Sequence, residues 1–419
     1  MFTRAVLACS VGNFFEQFDF VLYGYFAAII GRLYFPAMDP MSSLLSSFAT
    51  YGVGFLMRPV GAIVIGSYGD RYGRKKALVL TIAIMAVATL GVGLLPTYDQ
   101  IGRWAAVLLL LCRLGQGFST GGEWGGAAAF MVEYAPNGKR GRIGSWAQFA
   151  ATTGVLMGSL TAAILSYLLD ADSMSSWGWR IPFFIGAFSG PIGYYLRSKI
   201  AETPVFERVV ATENIERHPM LAALTEHRRN LFVAFGIALT ATVPFYTTFI
   251  FMPSFATQRV GLGYSEALFA TSIASVIAAV LMPLTGRLSD RIGRKPLILG
   301  ATIGALITPY PLFLLIVTHP SFASLLFAQT VAVVFIAMFS GPLPALLCEF
   351  FPANVRLTAL STSYGFAVMV GGFAPFIATF LINQTGDPIS PAYFFMASAL
   401  ISTVVAIFFF KETAHEELR

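Results

Sequence analysis

Long apolar runs dominate the chain, and short polar connections separate them. Each run holds about 20 mainly apolar residues, the length that an α-helix needs to cross the hydrocarbon core of a bilayer. Six runs precede a central polar stretch and six follow it. The pattern predicts an all-α polytopic membrane protein with twelve transmembrane helices, at residues 5–33, 43–67, 76–95, 104–133, 143–169, 180–197, 230–256, 266–288, 296–317, 322–349, 357–382 and 391–410.

The sequence repeats itself across the polar stretch. GSYGDRYGRK at 66–75 returns as GRLSDRIGRK at 286–295, and EYAP at 133–136 returns as EFFP at 349–352. Each copy lies at the same end of the corresponding span, so the halves are parallel copies related by an axis along the membrane normal. We expect two pseudosymmetric six-helix bundles, an N-terminal one at 1–197 and a C-terminal one at 230–419, joined by a linker at 198–229.

Lys and Arg are concentrated in alternate connections between the spans. One set holds the basic clusters at 71–76, 139–142 and 287–295 and the central linker, whereas the other set holds few basic residues. Basic residues are retained on the cytoplasmic side during membrane insertion. Both termini and the linker are therefore predicted to be cytoplasmic.

Composition agrees with a bilayer as the solvent. Hydrophobic residues make up 56% of the chain and charged residues 11%, whereas soluble proteins carry about 25% charged residues. The net charge of +6 comes from short clusters with no basic face, so no nucleic-acid partner is expected. The histidines fall in loops or the tail, and neither a metal-ligand nor a phosphate-binding pattern occurs, so no metal and no cofactor are expected. They are His218, His227, His319 and His415.

One catalytic pattern occurs, in the segment GFSTG at 117–121. It matches the nucleophile elbow of hydrolases in letters, but that elbow requires a preceding strand and a histidine partner. The segment lies inside the fourth predicted helix, where neither is available. The chain is therefore not expected to be an enzyme.

The doubled G-x-x-x-D-R-x-G-R-K loop resembles the signature of the major facilitator superfamily, and the resemblance covers nearly the whole chain. The segments GNFFEQFDF at 12–20, RP at 58–59, RLGQGF at 113–118, GGE at 121–123 and WGWRIPF at 177–183 resemble the metabolite:proton symporter family. Its members import citrate, tricarballylate, dicarboxylates, shikimate or betaine-type osmolytes. EQFDF at 16–20 is more similar to the citrate and tricarballylate symporters, since many other members have Trp where Gln17 stands.

The resemblance implies a secondary active transporter that carries a small organic anion with protons by alternating access, with a citrate- or tricarballylate-type tricarboxylate favoured. The alternatives are a dicarboxylate such as α-ketoglutarate, shikimate, or a betaine-type zwitterion, and, from another class, a membrane sensor that binds without transport. The expected partners are the anion, protons and the lipid bilayer. The implied setting is a monomer in a bacterial inner membrane.

Charged residues inside a span are costly unless they face a cavity or a partner, so each is a functional candidate. Glu16 and Asp19 share one helix face, and two neighbouring carboxylates resist double ionisation, as proton coupling requires. Glu123 is a third proton-coupling candidate. In the alternative interpretation, these carboxylates are permanently ionised and paired with basic side chains.

Arg58 and Arg113 are the only basic residues that the hydropathy pattern places inside spans. A guanidinium fits a carboxylate bidentately, so both are substrate-binding candidates, unless they form internal salt bridges to Glu16, Asp19 or Glu123. Further substrate-binding candidates are uncharged: Asn13, Gln116, Tyr246, Thr247 and Thr248. The hydroxyls among them could instead be satisfied by the preceding helical turn.

The repeated loops are predicted to form a gate, because they sit at the cytoplasmic surface. The resemblance implies that they latch the two halves together in the outward-open state, with each aspartate near a helix N-terminus. The gating candidates are Asp70, Arg71, Arg74, Glu133, Arg140, Asp290, Arg291, Arg294, Glu349 and Arg356.

Overall fold

The computed structural model describes residues 2–36, 40–199, 201–212, 216–414, 416 and 418, and His415 lies outside them. Within these ranges the regular structure is helical, with no strand. In this part of the chain, eight helices are long and apolar enough to cross a membrane, and one pair bent by 41° makes a ninth. Of the other three spans, the first and the fourth carry charged residues at depth, and the sixth is broken into helices of 7 and 10 residues.

Six spans, labelled α1 to α6, form the N-terminal half. They are α1 (Phe2–Tyr25, continued by Ala27–Tyr34), α2 (Pro40–Tyr72), α3 (Arg74–Leu94), α4 (Trp104–Glu133), α5 (Arg140–Leu168) and α6 (Ile181–Ala187 with Ser189–Ser198). Short helices Tyr98–Ile101, Ala171–Ser176 and Gly178–Arg180 lie in the connections, and Pro204–Ala211 and Pro219–Glu226 lie between the halves.

Six further spans, α7 to α12, form the C-terminal half. They are α7 (Arg228–Tyr246, a π-turn at Thr247–Phe251, then Met252–Gln258), α8 (Tyr264–Ile292), α9 (Arg294–Ile307 with Pro309–Thr318), α10 (Phe322–Ser340 with Leu343–Glu349), α11 (Arg356–Gly372 with Ala374–Thr385) and α12 (Pro391–Phe408). Several breaks carry proline, which removes a backbone donor from a helix and clashes with the preceding turn.

Glycines allow α2 and α4 to cross at very short range. A Cβ added at Gly117 would overlap the carbonyl oxygen of Gly54, and one added at Gly121 would overlap that of Arg58. A Cβ at Gly61 would likewise overlap the carbonyl oxygen of Phe118. This close crossing places Arg58 and Arg113, which lie on the two helices, in one buried layer.

The two halves meet along α2 with α11 and along α5 with α8. These pairs are equivalent under the repeat, since α8 corresponds to α2 and α11 to α5. The core side chains nearest the centre are aromatic, and Tyr51 and Phe55 of α2 contact Tyr246 of α7 at ring-centroid distances of 6.4 and 5.0 Å. The interface therefore runs through the predicted substrate region.

Candidate functional site

The repeated loops meet at one end of the bundle, which we call the latch end. Asp70 accepts hydrogen bonds from the backbone N–H groups of Leu357 (3.3 Å) and Thr358 (2.8 Å), in the first turn of α11. In the other copy, Asp290 accepts from the backbone N–H groups of Gly141 and Arg142, both at 2.8 Å, in the first turn of α5. Each aspartate thus caps a helix of the opposite half, where negative charge is favourable.

A glutamate at the end of α4 binds arginines from both halves. The Glu133 carboxylate lies 3.1 Å from Arg74 Nη2 and 2.9 Å from Arg356 Nη1. In the second copy, Glu349 lies 3.0 Å from Arg294 and 3.6 Å from Arg140. The same arrangement of ion pairs therefore joins the two halves in both copies of the repeat.

Two of the predicted gating arginines take no part in this network. Arg291 is exposed and Arg71 partly exposed, and neither makes an ion pair within the described residues. The paired arginines of the same motif, Arg74 and Arg294, are buried. In each copy of the motif, therefore, the second of the two arginines forms the ion pairs. This residue is Arg74 in the first copy and Arg294 in the second.

Two acidic residues outside the predicted set complete the latch. The carboxylate of Glu202, after α6, accepts from the backbone N–H of Lys75 at 3.1 Å. After α12, Glu412 accepts from the N–H groups of Arg294 (2.8 Å) and Lys295 (2.9 Å). Burial raises the pKa of Glu412, but these backbone donors outweigh burial and hold it below its usual value. The stability that this cap supplies is present at neutral pH and lost as the pH falls through the lowered pKa.

Halfway along the N-terminal half, Glu16 of α1 faces Arg58 of α2. Arg58 Nη2 lies 3.2 Å from Glu16 Oε1, and both side chains are buried. The Arg58 guanidinium is also 4.8 Å from the ring centroids of Phe20 and Phe55. Glu16 Oε2 has no hydrogen-bond partner within the described residues. Arg58 therefore forms the internal salt bridge to Glu16 that was the alternative to substrate binding. The other oxygen of Glu16 remains without a hydrogen-bond partner in the described residues.

Arg113 is fully buried without a carboxylate partner in the described part of the chain. Its Nη1 donates to Gln116 Oε1 at 2.7 Å, while its Nε and Nη2 have no hydrogen-bond partner among the described residues. The rings of Phe20, Tyr23 and Tyr51 surround its guanidinium with centroids at 4.6, 4.5 and 5.2 Å. The hydroxyls of Tyr23 and Tyr51 are likewise buried and unpartnered within those residues.

Asp19 of α1 contacts Thr89 of α3. Its Oδ2 accepts from Thr89 Oγ1 at 2.8 Å, and its Oδ1 has no partner among the described residues. Thr89 in turn accepts from Gln116 Nε2 at 2.9 Å. Gln116 therefore links two predicted functions, since it touches Arg113 and, through Thr89, Asp19.

Glu123 is engaged more completely than the other two carboxylates. Both its oxygens accept from the Arg197 guanidinium, and the Thr81 hydroxyl donates to it as well. The prediction that only Arg58 and Arg113 are basic residues inside spans is wrong, because α6 continues to Ser198 and turns the fully buried Arg197 inward. Hydropathy assigned Arg197 to the edge of the polar linker.

The uncharged candidates separate in space. Tyr246 contacts the rings of Tyr51 and Phe55, which lie beside the guanidinium groups of Arg113 and Arg58. The next two residues of α7, Thr247 and Thr248, line a mostly apolar cavity between α7, α9, α10 and α12. The Thr247 hydroxyl donates to the carbonyl of Val243, four residues earlier. The structure therefore does not bring these threonines to Arg113, because successive residues of a helix point about 100° apart and Tyr246 is the one that faces α2.

Asn13 lies two turns before Asp19 and ties α1 to α5. Its Nδ2 donates to the carbonyl of Ala147 at 3.4 Å, and its Oδ1 is buried without a partner in the described part of the chain. Asn13 therefore holds two helices together near the site and makes no contact with Arg113.

The C-terminal half has no counterpart of Arg113. Arg113 lies 20 residues before Glu133, and the residue 20 positions before Glu349 is Gln329. Gln329 is fully buried, and its Nε2 donates to Thr271 Oγ1 at 2.8 Å and to the Thr248 carbonyl at 3.1 Å. The matching position is thus neutral and engaged within its own half.

Sequence reasoning missed Tyr23, Tyr51, Thr89 and Arg197 among the residues that form this centre. Uncharged residues in a span carry no hydropathy signal, since tyrosine and threonine also occur as packing residues. The spacing of Tyr23, four residues after Asp19, is the one signal that could have placed it on the same face of α1.

Comparisons with known proteins place the chain among transporters. Residues 10–318 and 260–419 match the family described as Major Facilitator Superfamily. The proline/betaine transporter of Salmonella typhimurium is 37% identical over 99% of this chain and 85% of its own length. The citrate-proton symporter of Klebsiella pneumoniae is 35% identical over 98% and 92%. The structure of the proton:xylose symporter XylE bound to 6-bromo-6-deoxy-D-glucose has a TM-score of 0.81 at 17% identity, over 100% of this chain and 97% of XylE.

Proposed function

Because the chain belongs to the major facilitator superfamily and is a membrane transporter, we propose that it carries a betaine- or proline-type zwitterion together with protons. Transport proceeds by alternating access, in which the two six-helix bundles rock about a central site. The setting proposed is the bacterial inner membrane, with both termini and the latch end cytoplasmic, since the relatives named above are bacterial and the latch end carries the basic clusters.

The guanidinium of Arg113 carries this proposal, because among the buried arginines of the described residues it alone has no carboxylate partner. Arg58 and Arg197 each lie against a glutamate, so they cannot neutralise a ligand without breaking an ion pair. Arg113 offers two free donor nitrogens, Nε and Nη2, beside the hydroxyls of Tyr23 and Tyr51. One free cation balances one carboxylate, which is the anionic charge of a betaine or of proline.

The aromatic layer supports a cationic group on the same ligand. Phe20, Tyr23, Tyr51, Phe55 and Tyr246 form a continuous set of rings at centroid distances of 5.0 to 6.4 Å. Ring faces attract quaternary ammonium groups, and such cages are worth about 2 kcal/mol or more when they are desolvated. A zwitterion can therefore place its carboxylate on Arg113 and its ammonium group against the rings.

Citrate is the second candidate. It is favoured by the similarity to a citrate-proton symporter and by Gln17, where many relatives of the wider family carry Trp. Against it stands the charge of the site, because three carboxylates would share one unpaired guanidinium in the described part of the chain. The C-terminal half offers hydroxyls and amides to such a ligand but no buried cation at the position that matches Arg113.

Proton coupling is assigned to Glu16 and Asp19. Each is buried and keeps one oxygen free of hydrogen bonds within the described residues, at Glu16 Oε2 and Asp19 Oδ1. Glu123, with both oxygens bound by Arg197, serves better as a clip between α4 and α6. A carboxylate that exchanges a proton once per cycle needs a free position to receive it, which favours the first two.

Uptake into proteoliposomes tests the proposal. Labelled glycine betaine is supplied with and without an inward proton gradient, in competition with proline, citrate, tricarballylate, α-ketoglutarate and shikimate. Gradient-stimulated betaine uptake that proline competes best supports the zwitterion. Uptake blocked mainly by citrate and tricarballylate moves the assignment to tricarboxylates, and binding without flux of any of these compounds would identify a sensor.

A further inference from the structure

Four buried side chains from three helices form one directed chain of hydrogen bonds between the two functional groups. Arg113 Nη1 donates to Gln116 Oε1 at 2.7 Å, Gln116 Nε2 donates to Thr89 Oγ1 at 2.9 Å, and Thr89 Oγ1 donates to Asp19 Oδ2 at 2.8 Å. Every donor in the chain points from Arg113 toward Asp19. No direct ion pair joins the two end groups within the described residues.

From this chain we infer that Thr89 is a positioning residue, through which protonation of Asp19 releases Arg113 to bind the carboxylate of the substrate. The inference rests on the proposed symport function and deepens it by giving the order of events. A deprotonated Asp19 can only accept, so the Thr89 hydroxyl must donate to it. That fixes the lone pairs of Thr89 toward Gln116, and hence fixes which end of the amide faces Arg113.

A proton arriving at Asp19 has a preferred position. On Oδ2 it finds an acceptor, the Thr89 oxygen, whereas Oδ1 has no polar partner in the described part of the chain and lies against the backbone of Gly186. A buried donor without an acceptor is costly, so the proton settles on Oδ2. Asp19 then donates to Thr89 and the direction of the first hydrogen bond is reversed.

When Asp19 becomes a donor, the Thr89 hydrogen loses its acceptor and needs another, because a buried donor without one is costly. Within the relay the remaining side-chain acceptor is Gln116 Oε1, and in the proposed step the Gln116 amide turns to present it to Thr89. The amide then faces Arg113 with Nε2, a donor against a donor. Arg113 Nη1 loses its acceptor and joins Nε and Nη2 as a nitrogen that is free to donate to a substrate carboxylate.

Other titratable or charged groups lie on α1 itself and on the helices that pack around it. They are Glu16 and Tyr23 on α1, Arg58 and Tyr51 on α2, Arg113 and Glu123 on α4, Arg197 on α6 and Tyr246 on α7. The charged residues of α3 and α5 lie in their first turns, at the latch end. Glu16 is paired with Arg58 and Glu123 with Arg197, so Asp19 is the carboxylate that this chain connects to Arg113.

The test is binding of glycine betaine to the purified protein at pH 6 and pH 8, with Thr89→Val and Thr89→Ser. Valine keeps the shape of threonine but removes the hydroxyl, while serine keeps it. Wild type and Thr89→Ser should bind about tenfold more tightly at pH 6, the worth of one hydrogen bond to a charged group. Thr89→Val should bind equally at both pH values. Thr302→Val is the matched control, since Thr302 is buried and bonds only to Leu299 in the described residues, and it should keep the pH dependence.

A second measurement needs no substrate and so separates failure of this inference from failure of the proposed function. Infrared difference spectra between pH 6 and pH 8 report the arginine guanidinium bands and the protonated carboxyl band, which Asp19→Asn assigns. Wild type and Thr89→Ser should show coupled changes in both bands, and Thr89→Val a carboxyl change alone. Coupled changes in Thr89→Val, or pH-dependent betaine binding by it, would overturn the relay even if citrate proved to be the substrate.

Discussion

Three of the buried arginines in the N-terminal half, Arg58, Arg113 and Arg197, have the same side chain and different partners. Arg58 and Arg197 each contact a glutamate, and Arg113 contacts an amide and three rings. A buried guanidinium without a counter-ion is costly, which is why Arg113 is the arginine that we propose to bind the carboxylate of the substrate. The difference between these residues lies entirely in what faces them across the helices.

Arg113→Lys should transport the substrate with a much higher KM. Lysine keeps the charge but loses the planar fork, and so one of the two charged hydrogen bonds to a carboxylate, worth about 1.5–3 kcal/mol or about 10- to 100-fold in affinity. Initial rates of uptake by vesicles that contain equal amounts of protein measure the KM of each variant. An unchanged KM would show that Arg113 does not bind the carboxylate of the substrate bidentately.

Glu16→Gln and Asp19→Asn should lose pH-driven accumulation while still exchanging labelled for unlabelled substrate. Neither amide can take up and release a proton, but both preserve shape. Comparing gradient-driven uptake with counterflow in the same vesicles separates coupling from binding. If both variants accumulated substrate as wild type does, the coupling role would fall to another group, with Glu123 next to be tested.

The sequence could predict the charged members of this centre but not their neighbours. Glu16, Asp19 and Arg113 stand out because charge is rare inside a span. Thr89 and Tyr51 do not stand out, since threonine and tyrosine are common in transmembrane packing. The burial of Arg197 was not predicted, because hydropathy falls gradually at the end of a helix. It does not indicate whether the last turn faces water or protein.

At the scale of the helices, the direction of successive side chains in α7 explains one of the differences from the sequence prediction. Successive residues of a helix point about 100° apart, so Tyr246, Thr247 and Thr248 cannot all face the same neighbours. The π-turn at Thr247–Phe251, with Pro244 just before it, changes the rotation further. Tyr246 contacts the rings of α2, while Thr247 and Thr248 line a cavity within the C-terminal half.

The close crossing of α2 and α4 gives a stability prediction. Gly117→Val should destabilise the fold by about 3 kcal/mol or more, because its Cβ would overlap the backbone of Gly54 and overpacking of a tight contact is costly. Gly115→Ala, in the same helix, should be tolerated, since its Cβ would lie 3.5 Å from that of Ala88. Thermal unfolding of both variants in the same detergent measures the difference, and equal melting temperatures would contradict the crossing.

For the molecule as a whole, the comparisons confirm the twelve-span major facilitator fold that the repeat and the hydropathy pattern predicted. The substrate was harder to predict. A few positions around Gln17 favoured tricarboxylates, whereas the similarity over 99% of the chain to a proline/betaine transporter favours a zwitterion. Ligand choice depends on which charges remain unpaired after folding, and side-chain pairing across helices is not visible in a linear sequence.

The ion pairs and helix caps of the latch end join the two halves at one end of the molecule, so weakening them should shift the balance between conformations. In a Cys9→Ser, Cys112→Ser background, Asp70→Asn or Asp290→Asn should speed alkylation of Cys348, which is buried at the latch end. Loss of a charged helix cap costs about 1 kcal/mol, so the expected increase is about fivefold or more. Arg291→Gln, at an exposed position without an ion pair in the described residues, is the control. Equal alkylation rates in all variants would show that the latch does not hold this end closed.

The replacement of Arg113 by Gln329 at the matching position has an electrical consequence. Between the latch-end loops and the opposite surface, the C-terminal spans carry no Asp, Glu, Lys or Arg, whereas the N-terminal spans carry at depth Glu16, Asp19, Glu123, Arg58, Arg113 and Arg197. The three negative and three positive charges cancel, and a proton taken up by one of the carboxylates would leave this bundle with one net positive charge. A membrane potential acts on net charge, at about 2.3 kcal/mol per elementary charge for each 100 mV crossed. The voltage across the membrane would therefore act on the N-terminal half once it is protonated and leave the other half nearly untouched.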